Sequence, residues 1–422
     1  MRTRFTWIVA ILVLVSVALL IACSTTYTAS YNGLVVVPSQ AQVVMQSFSL
    51  DLGNGHVGQI TNLNGPPTRG LPSSVILDPA GAFAYLIVSQ NPGVADSVTG
   101  IETFSIASDG KLAPIKTTAL NKTDTNVPVV PVALTMDSTG KFLFVADSAT
   151  SDGAGNLVAG SVSVLAIGGN ASLKEVAGSP FTLPVPLGGQ TPSASALAVT
   201  PTVYPKVYAV CSVSPAPTTE NLYVTDSVNY ILLNYSVNPS TGVLTLVPYL
   251  TAQPGAPTGT VPSGVAVDPC NRFVYVANAS PDNSVSAFTI CSVVLLPKCQ
   301  YANYSLLPVP GSPYSLSPGD DPGPMAVDAY GNYLYVVDTG EGIISPFRIS
   351  ETTGSLTPLT PPIVTANPGA NSIAIRSDDS WMFVANRNTA TVSQYGIIPS
   401  TGALVVQPLI DTFNYPSGVA VH

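Results

Sequence analysis

The chain has little charge, since Lys, Arg, Asp and Glu together make up 9% of its 422 residues, against about 25% in a typical soluble domain. Bases are the scarcer kind, with 14 Lys and Arg against 23 Asp and Glu. Nucleic-acid binding requires clustered Lys and Arg. We therefore expect no nucleic-acid partner.

Histidine is scarcer still, because His56 in a Gly-rich turn and His422 at the C-terminal end are the only two. The sequence accordingly has no zinc-type His cluster, and it has neither a Ser-His-Asp order nor a phosphate-binding Gly loop. We therefore expect no metal and no cofactor. The chain is nevertheless 46% hydrophobic, with 39 Pro and 34 Gly, which argues against disorder and favours turn-rich β-structure.

The chain opens with an apolar segment. Two arginines precede an uncharged, largely apolar run over residues 7–22, which is the layout of an export signal. The run ends at Cys23 in Leu-Ile-Ala-Cys, which resembles the bacterial lipobox, where a lipid is attached to the cysteine and the peptide is cut before it. We predict a lipoprotein signal over residues 1–22, lipidation at Cys23 and a lipidated tether over residues 23–30.

An uncleaved anchor is the alternative, since the apolar run is close to the length that spans a bilayer. Either way, we expect the rest of the chain to lie outside the cytoplasm. With lipidation at Cys23 it would be a lipid-anchored protein of the cell envelope, as a periplasmic or outer-membrane lipoprotein. Cleavage before Cys23 would remove both arginines and no acid, leaving 12 bases against 23 acids and a net charge of −11.

A short unit recurs along the remainder of the chain. Each copy has an apolar strand of small residues, a turn at Asp or Ser, and a second strand that carries an aromatic residue and ends in Asp or Asn. Six copies place that aromatic residue at Tyr85, Phe144, Tyr223, Tyr275, Tyr335 and Phe383. Their spacing of 48 to 79 residues accommodates four short strands, which is the content of a β-propeller blade.

The two ends of the chain supply a seventh copy. Residues 416–421 read PSGVAV and are identical to residues 262–267, the first strand of another copy, while residues 31–60 have the character of second, third and fourth strands. We predict an all-β, seven-bladed β-propeller over residues 31–422, closed by pairing of its N- and C-terminal strands. Closure would leave no long unpaired edge, and we expect a monomer. His422 aligns with the Asp that ends a first strand elsewhere, which predicts a turn role.

Apart from Cys23, the cysteines are Cys211, Cys270, Cys291 and Cys299. An even number in an oxidising compartment indicates two disulfides. We predict that Cys291 pairs with Cys299 across a hairpin and that Cys211 pairs with Cys270 between adjacent blades, although four cysteines allow three pairings. A four-cysteine zinc site is the alternative, and the 58-residue gap after Cys211 argues against it.

The copies VAVDPCNRFVYVANA from Val265 and AVDAYGNYLYVVDT from Ala326 resemble the blades of the lactonase family of seven-bladed propellers, which includes bacterial 6-phosphogluconolactonases. The resemblance covers about residues 30–422. It is specific for the architecture and weak for the chemistry, because one fold hosts many functions.

The family's enzyme-like blade carries Gly-Pro-Arg-His in its first strand and Asn-Glu-Leu at the end of its second. The matching positions are Gly323, Pro324, Met325 and Ala326, followed by Asp338, Thr339 and Gly340. The Arg, His and Glu that would activate water and stabilise an oxyanion are therefore missing. Glu341 lies nearby and could replace the lost Glu, while a solvated loop carboxylate is the alternative interpretation.

Candidate ligand contacts lie where second strands end, on the loop face that propellers often use for binding. Arg387 is the best candidate for an anion contact, and Glu341, Asp338 and Asn278 are the others. Repeated acids and amides also have a simpler interpretation, because they satisfy backbone N–H groups in the turn that follows. This applies to Asp147, Asp226, Asn278, Asp338 and Asn386 at strand ends, and to Asp78, Asp137, Asp268 and Asp328 in first turns.

Three functions remain open at this point. The missing motif residues favour a non-catalytic propeller that binds a protein or glycan partner or scaffolds an envelope assembly. A lactonase-type hydrolase with a rearranged site is the alternative, and binding of an oxidised small molecule or a metal in the channel is the third. Convergent His, Arg and Glu side chains at one channel mouth would favour the hydrolase.

Overall fold

The computed structural model describes residues 33–422 apart from 61–64, 93, 95–96, 124–125, 202–219, 250–252, 292–304, 318–320, 361–362 and 365–367. The predicted signal, Cys23 and the tether lie outside the described residues. The described chain is β-structure apart from one 3-10 turn at Gly169–Ala171. No helix in these ranges is long and apolar enough to cross a membrane.

The described strands form seven blades around a central channel, which confirms the predicted fold class. Blade 1 contains β1 (Gly33–Ser39), β2 (Val44–Leu50) and β3 (Val57–Gln59); blade 2 contains β4 (Leu71–Leu77), β5 (Phe83–Ser89), β6 (Gly100–Ile106) and β7 (Leu112–Ala119). Blade 3 contains β8 (Val130–Met136) and β9 (Phe142–Ser148), a side hairpin of β10 (Thr150–Ser151) and β11 (Leu157–Val158), then β12 (Ser161–Ile167), β13 (Leu173–Glu175) and β14 (Phe181–Thr182).

Blades 4 to 7 follow the same plan. Blade 4 contains β15 (Ala194–Val199), β16 (Glu220–Asp226), β17 (Ile231–Val237), β18 (Leu244–Leu246) and β19 (Gly255–Pro257); blade 5 contains β20 (Pro262–Val267), β21 (Phe273–Asn278), β22 (Ser284–Ile290), β23 (Leu306–Pro308) and β24 (Tyr314–Ser315). Blade 6 contains β25 (Pro322–Val327), β26 (Tyr333–Asp338), β27 (Ile343–Ile349), β28 (Leu356–Pro358) and β29 (Ile363–Val364). Blade 7 contains β30 (Ala370–Ile375), β31 (Trp381–Asn386), β32 (Thr391–Ile398), β33 (Ala403–Val406) and β34 (Ile410–Asp411), and β35 (Ala420–Val421) returns to blade 1.

In blades 2 to 7 the main strands pair antiparallel in chain order from the channel outwards, and in blade 1 the order is β35, β1, β2 and β3. The fourth strand differs from the simple expectation in blades 3 to 7, where it is broken into two short pieces that both pair with the third strand. Second strands are buried along nearly their whole length, because both of their faces pack against neighbouring blades. Seven clusters of buried apolar side chains accordingly lie one between each pair of neighbouring blades.

The ring closes in blade 1 as predicted. Strand β35 pairs antiparallel with β1, so that Val421 lies opposite Val35 and Ala420 opposite Val36. His422 extends the pairing, because its N–H donates to the carbonyl of Leu34 at 2.9 Å and its carbonyl accepts from the Leu34 N–H at 3.0 Å. The N- and C-terminal strands therefore share one sheet, and β35 is the innermost strand of that sheet.

Candidate functional site

The inner strands of all seven blades line a central cavity of about 280 Å³. Each contributes the residues near its start, namely Ser73, Ser74, Val132, Ala133, Ser195, Ala196, Ser263, Gly264, Val265, Pro324, Met325, Asn371, Ser372, Ile373 and Ser417. These described lining residues supply hydroxyls, one amide and small or apolar side chains, and none of them is charged. Such a surface makes neutral hydrogen bonds and offers no group that titrates near pH 7.

Several of these hydroxyls connect neighbouring blades. Ser195 donates to the carbonyl of Pro262 at 2.6 Å, and Ser263 donates to the carbonyl of Pro322 at 2.5 Å. Asn371 reaches the carbonyl of Pro416 in the same way at 3.2 Å. The hydroxyls of Ser195 and Ser263 are therefore already used to hold inner strands together.

Two of the positions that match the lactonase motif lie at this cavity. Pro324 and Met325 line the cavity, and Met325 is buried. The Thr339 hydroxyl donates to the carbonyl of Asp321 at 3.0 Å. A thioether and a structural hydroxyl thus stand where a cation and a carboxylate would be needed for hydrolysis.

The strand-end Asp and Asn residues follow two arrangements, which differ with the start of the third strand. In blades 3, 5 and 7 the third strand begins Ser-Val-Ser or Thr-Val-Ser, and the preceding strand-end side chain bonds both hydroxyls. The residues in this arrangement are Asp147, Asn278 and Asn386. We predicted that these side chains accept backbone N–H groups of the following turn. That prediction was wrong for these three residues, because they bond nearby hydroxyls instead.

In blades 4 and 6 the third strand begins with Ile, which has no hydroxyl. Here the strand-end acid binds backbone N–H groups of the following turn, as expected. Asp226 accepts from Val228 at 3.1 Å and from Asn229 at 3.3 Å. Asp338 accepts from Glu341 at 2.5 Å.

The first-turn acids have the predicted capping role. Asp78, Asp137 and Asp328 each accept the N–H of the residue five positions later, at 2.6, 2.5 and 2.7 Å. Asp268 accepts the N–H of Arg272 at 2.9 Å and pairs with its guanidinium at 2.8 Å.

Burial dominates the electrostatics of these acids. It raises the pKa of Asp147 to about 7, against hydrogen bonds from Ser163 and Ser161 that lower it. It also raises the pKa of Asp328 to about 6 and that of Asp379 to about 7, where the neighbouring Asp328 charge adds to the effect. Burial therefore shifts the protonation equilibrium of each of these groups towards the neutral form, relative to an exposed carboxyl group.

The candidate ligand contacts are placed as follows. Glu341 is exposed in the turn that Asp338 caps, and Asp338 is buried and also accepts the Asp321 N–H at 2.5 Å. Arg387 lies on the next blade; its backbone N–H donates to the carbonyl of Gly369, whose own N–H donates to the carbonyl of Thr339. The turns of Glu341 and Arg387 are therefore neighbours on the face of the propeller where the second strands end, which we call the strand-end face.

The four candidate side chains do not form one constellation. The Arg387 guanidinium donates to the Gln40 side chain at 2.8 Å, and its Cζ lies 5.8 Å from the centre of the Tyr415 ring. These contacts connect blade 7 to blade 1. Asn278 is fully buried, donates to Ser284 and Ser286 at 3.0 Å and accepts from Gly259. No hydrogen bond or ion pair joins any two of these four side chains in the described ranges. Their role in ligand binding stays a prediction.

The cysteines are only partly described. Cys270 and Cys291 are both buried, and neither is a free thiol. Cys211 and Cys299 lie outside the described residues, so the two predicted disulfides stay predictions. Among described residues, no group of three or more His, Cys, Asp or Glu is arranged to hold a metal ion.

Sequence reasoning did not single out a second cavity, which lies on the outer rim between blades 7 and 1. It has a volume of about 680 Å³ and includes His56, Gln59 and Asp411 in its lining. His56 was expected only as a turn residue, and it does lie in the turn between β2 and β3. No local sequence signal connects it to Asp411, because the closure of the ring brings them to one groove.

Seven antiparallel sheets of four or five short strands, arranged around a central channel, define a seven-bladed β-propeller. The family described as "Lactonase, 7-bladed beta-propeller" matches this chain over residues 313–422, which confirms the expected resemblance for that part of the chain. No curated protein matches the chain significantly.

Solved structures share the fold over nearly their whole length. A Bacteroides fragilis protein proposed to be a 6-phosphogluconolactonase is 16% identical, with a TM-score of 0.68 over 94% of this chain and 99% of that one. The periplasmic gluconolactonase of Pseudomonas aeruginosa is 17% identical, with a TM-score of 0.66 over 92% and 98%. A Lactobacillus plantarum protein is 14% identical, with a TM-score of 0.67 over 92% and 99%. At these identities the similarity establishes the fold.

Proposed function

We propose that this protein is a lipid-anchored, extracytoplasmic propeller of the lactonase-like type that binds a partner and does not hydrolyse lactones. The observation that carries the proposal is the channel lining, where Met325 and Pro324 stand among seryl hydroxyls. Acyl transfer to water needs a base and a preorganised charge or donor pair. The lining supplies neutral hydroxyls, of which Ser195 and Ser263 are engaged with neighbouring carbonyls.

Lactone hydrolysis is the second candidate, and the family match over residues 313–422 favours it. Two of the structurally similar proteins are described as gluconolactonases or proposed to be so. On this chain the reaction would have to use Glu341 and Arg387, whose turns adjoin on the strand-end face. The Arg387 guanidinium would first have to leave Gln40 and Tyr415.

A hydrolysis assay separates the two candidates. The full chain is incubated with glucono-1,5-lactone and with 6-phosphogluconolactone, each against a matched blank because both lactones hydrolyse spontaneously. We expect no acceleration above the blank, since the loss of one oxyanion donor alone costs about 10²- to 10³-fold. Turnover that disappears in Glu341→Ala or Arg387→Ala, but persists in the exposed-turn variant Asp152→Ala, would establish the hydrolase instead.

Lipid attachment is tested separately on intact protein. We expect mass spectrometry to find an N-terminus at Cys23 carrying acyl chains, and we expect Cys23→Ala to lose the lipid mass. An N-terminus elsewhere without lipid would contradict the proposed anchor.

The geometry of the propeller supports display of the strand-end face. Strand β1 starts at Gly33 beside His422, on the face of the first turns, whereas the channel cavity lies near the starts of the inner strands. A tether over residues 23–30 would thus hold the first-turn face towards the membrane. The channel mouth, Glu341 and Arg387 would point away from it, where a protein or glycan partner can reach them.

A further inference from the structure

The groove between blades 7 and 1 is built from both ends of the chain. Its volume of about 680 Å³ is within the range of small-molecule sites, which is about 300 to 1,000 Å³. Blade 1 contributes Phe48, Asn54, Gly55, His56, Val57 and Gln59, and blade 7 contributes Gln394, Gln407, Pro408, Leu409, Ile410 and Asp411.

The equivalent groove between blades 5 and 6 provides an internal comparison. Its volume is about 420 Å³, and the lining residues that the structure describes are Ser, Leu, Pro, Phe and Thr. Phe347 corresponds to Phe48 by strand register, since each is the fifth residue of a third strand. The partner of Phe347 in the fourth strand is Pro358, whereas the partner of Phe48 is Gln59.

The wall of the groove formed by blade 7 is likewise more polar than the equivalent wall formed by blade 5. Asp411 pairs with the first residue of the third strand in blade 7, and Ser315 pairs with the first residue of the third strand in blade 5. The groove between blades 7 and 1 therefore has an amide and a carboxylate where its equivalent has a proline and a serine. The shared architecture does not require these polar groups, because the other groove forms without them.

The floor of the groove is fixed by contacts across the closure. Gln394 is buried and donates to the Gly55 carbonyl at 2.7 Å, which ties blade 7 to the turn of blade 1. Within that turn the Asp51 N–H donates to the His56 carbonyl at 2.9 Å, and the His56 N–H donates to the Asn54 side chain at 2.7 Å. These bonds fix the backbone of the turn at His56 before any ligand binds, which lowers the entropic cost of ordering that turn on binding.

The groove combines free hydrogen-bonding groups with an apolar wall. His56, Gln59 and Asp411 are exposed, and their side chains make no hydrogen bond to another described residue. Phe48, Val57, Pro408 and Leu409 line the same space, and Leu409 is 42% exposed. The lining residues that the structure describes include no Lys or Arg, while Asp411 adds negative charge, so anions are disfavoured.

We propose that this groove binds a neutral saccharide. A sugar hydroxyl both donates and accepts hydrogen bonds, which matches the imidazole of His56, the amide of Gln59 and the carboxylate of Asp411. The C–H face of the ring fits the apolar wall. The proposal holds whether or not the channel mouth hydrolyses lactones, because the groove lies on the outer rim and uses none of Glu341, Arg387 or the channel residues.

Trp381 gives this proposal an intrinsic reporter. The chain has two tryptophans, Trp7 and Trp381, and the Trp381 ring packs against Gly55 at the floor of the groove. In the full chain carrying Trp7→Phe, Trp381 is the one tryptophan. Its emission is followed while glucose, galactose, mannose and N-acetylglucosamine are added in separate titrations. We expect a saturable change with at least one of these sugars and a weaker response to glucuronate.

Variants locate the binding site. His56→Ala and Asp411→Ala should each raise the Kd about tenfold or more, as the loss of a hydrogen bond to a polar or charged group does. Ser315→Ala, at the equivalent position of the other groove, should leave the Kd unchanged. No saturable response to any of the four sugars, in protein that melts normally, would overturn the proposal. So would a Kd that is unchanged by both groove variants.

Discussion

Trp381 of blade 7 packs against Gly55 of blade 1 so closely that a β-carbon on Gly55 would overlap the indole ring. The same contact recurs around the ring, between the aromatic residue that opens a second strand and the glycine of the next blade's hairpin turn. The other examples are Phe142 with Gly242, Phe273 with Gly354 and Tyr333 with Gly402. One glycine and one ring thus fit adjacent blades together at each of these four junctions.

Gly55→Ala should destabilise the junction of blades 7 and 1. Gly55 has a φ of +75°, which an alanine adopts at a cost of about 1 kcal/mol, and overpacking against the indole adds about 1–3 kcal/mol. Urea unfolding measures the sum. Gly188→Ala is the matched control, because Gly188 has a φ of +72° and no neighbour within 4 Å. If the two variants lose equal stability, the ring contact contributes nothing.

Deletion of residues 416–422 should destabilise the whole propeller. It removes β35, the backbone bonds between His422 and Leu34, and the buried Val419. One buried Val contributes roughly 1.5–3 kcal/mol, against a total stability of about 5–15 kcal/mol. Thermal unfolding should show a large loss, whereas His422→Ala keeps the backbone pairing and should cost much less. An unchanged melting temperature after the deletion would contradict closure through β35.

Stability should fall as the pH rises from about 5 to 8. Burial raises the pKa of Asp147 to about 7 and that of Glu220 to about 8, with the Asp137 charge adding to the shift of Glu220. The folded protein therefore retains protons that the unfolded chain releases from about pH 4 upwards, so the free energy of unfolding decreases across this interval. Urea midpoints at pH 5 and pH 8 measure the change. A higher midpoint at pH 8 would show that the buried acids do not control the profile.

Asp147→Asn should stabilise the protein at pH 8. Blades 5 and 7 already have Asn in the same arrangement with two hydroxyls, and Oδ1 of Asp147 has no partner. Removing the buried charge should add about 1–3 kcal/mol at pH 8 and much less at pH 5.

Asp226→Asn is the control for this substitution and should act in the opposite direction. Asp226 accepts the Val228 N–H and also the side-chain amide of Asn229 at 2.7 Å. An amide nitrogen cannot accept that second bond, so the variant should lose about 1–2 kcal/mol. Equal effects at the two positions would mean that the strand-end arrangement does not matter.

Non-reducing peptide mapping should link Cys291 to Cys299 and Cys211 to Cys270. Cys270 lies in the first turn of blade 5, and Cys291 directly follows β22 of the same blade. A peptide that joins Cys270 to Cys291 or to Cys299 would reject this pairing.

The architecture could be predicted from sequence because each blade repeats a local pattern of apolar strand, turn and aromatic strand. The capping role of the first-turn acids could be predicted for the same reason. Each acid and the N–H group that it accepts lie close together in the chain, as Asp78 and Phe83 do at a separation of five residues. The roles of Asp147 and Asn278 depend on the residues that open the next strand, and a pattern limited to strand ends misses them. The groove could not be predicted, because His56 and Asp411 are separated by 355 positions and meet only through closure of the ring.

Pairing of β35 with β1 also affects the order of assembly. Strand β1 carries the buried residues Val35, Val36 and Val37, and it has no inner neighbour until residues 420–421 have been synthesised. Contacts of such high sequence separation form slowly, and an apolar strand that waits with a bare edge is prone to aggregate. Blade 1 should therefore be the last blade to complete during biosynthesis, and a holding chaperone that shields β1 should raise the yield of folded protein.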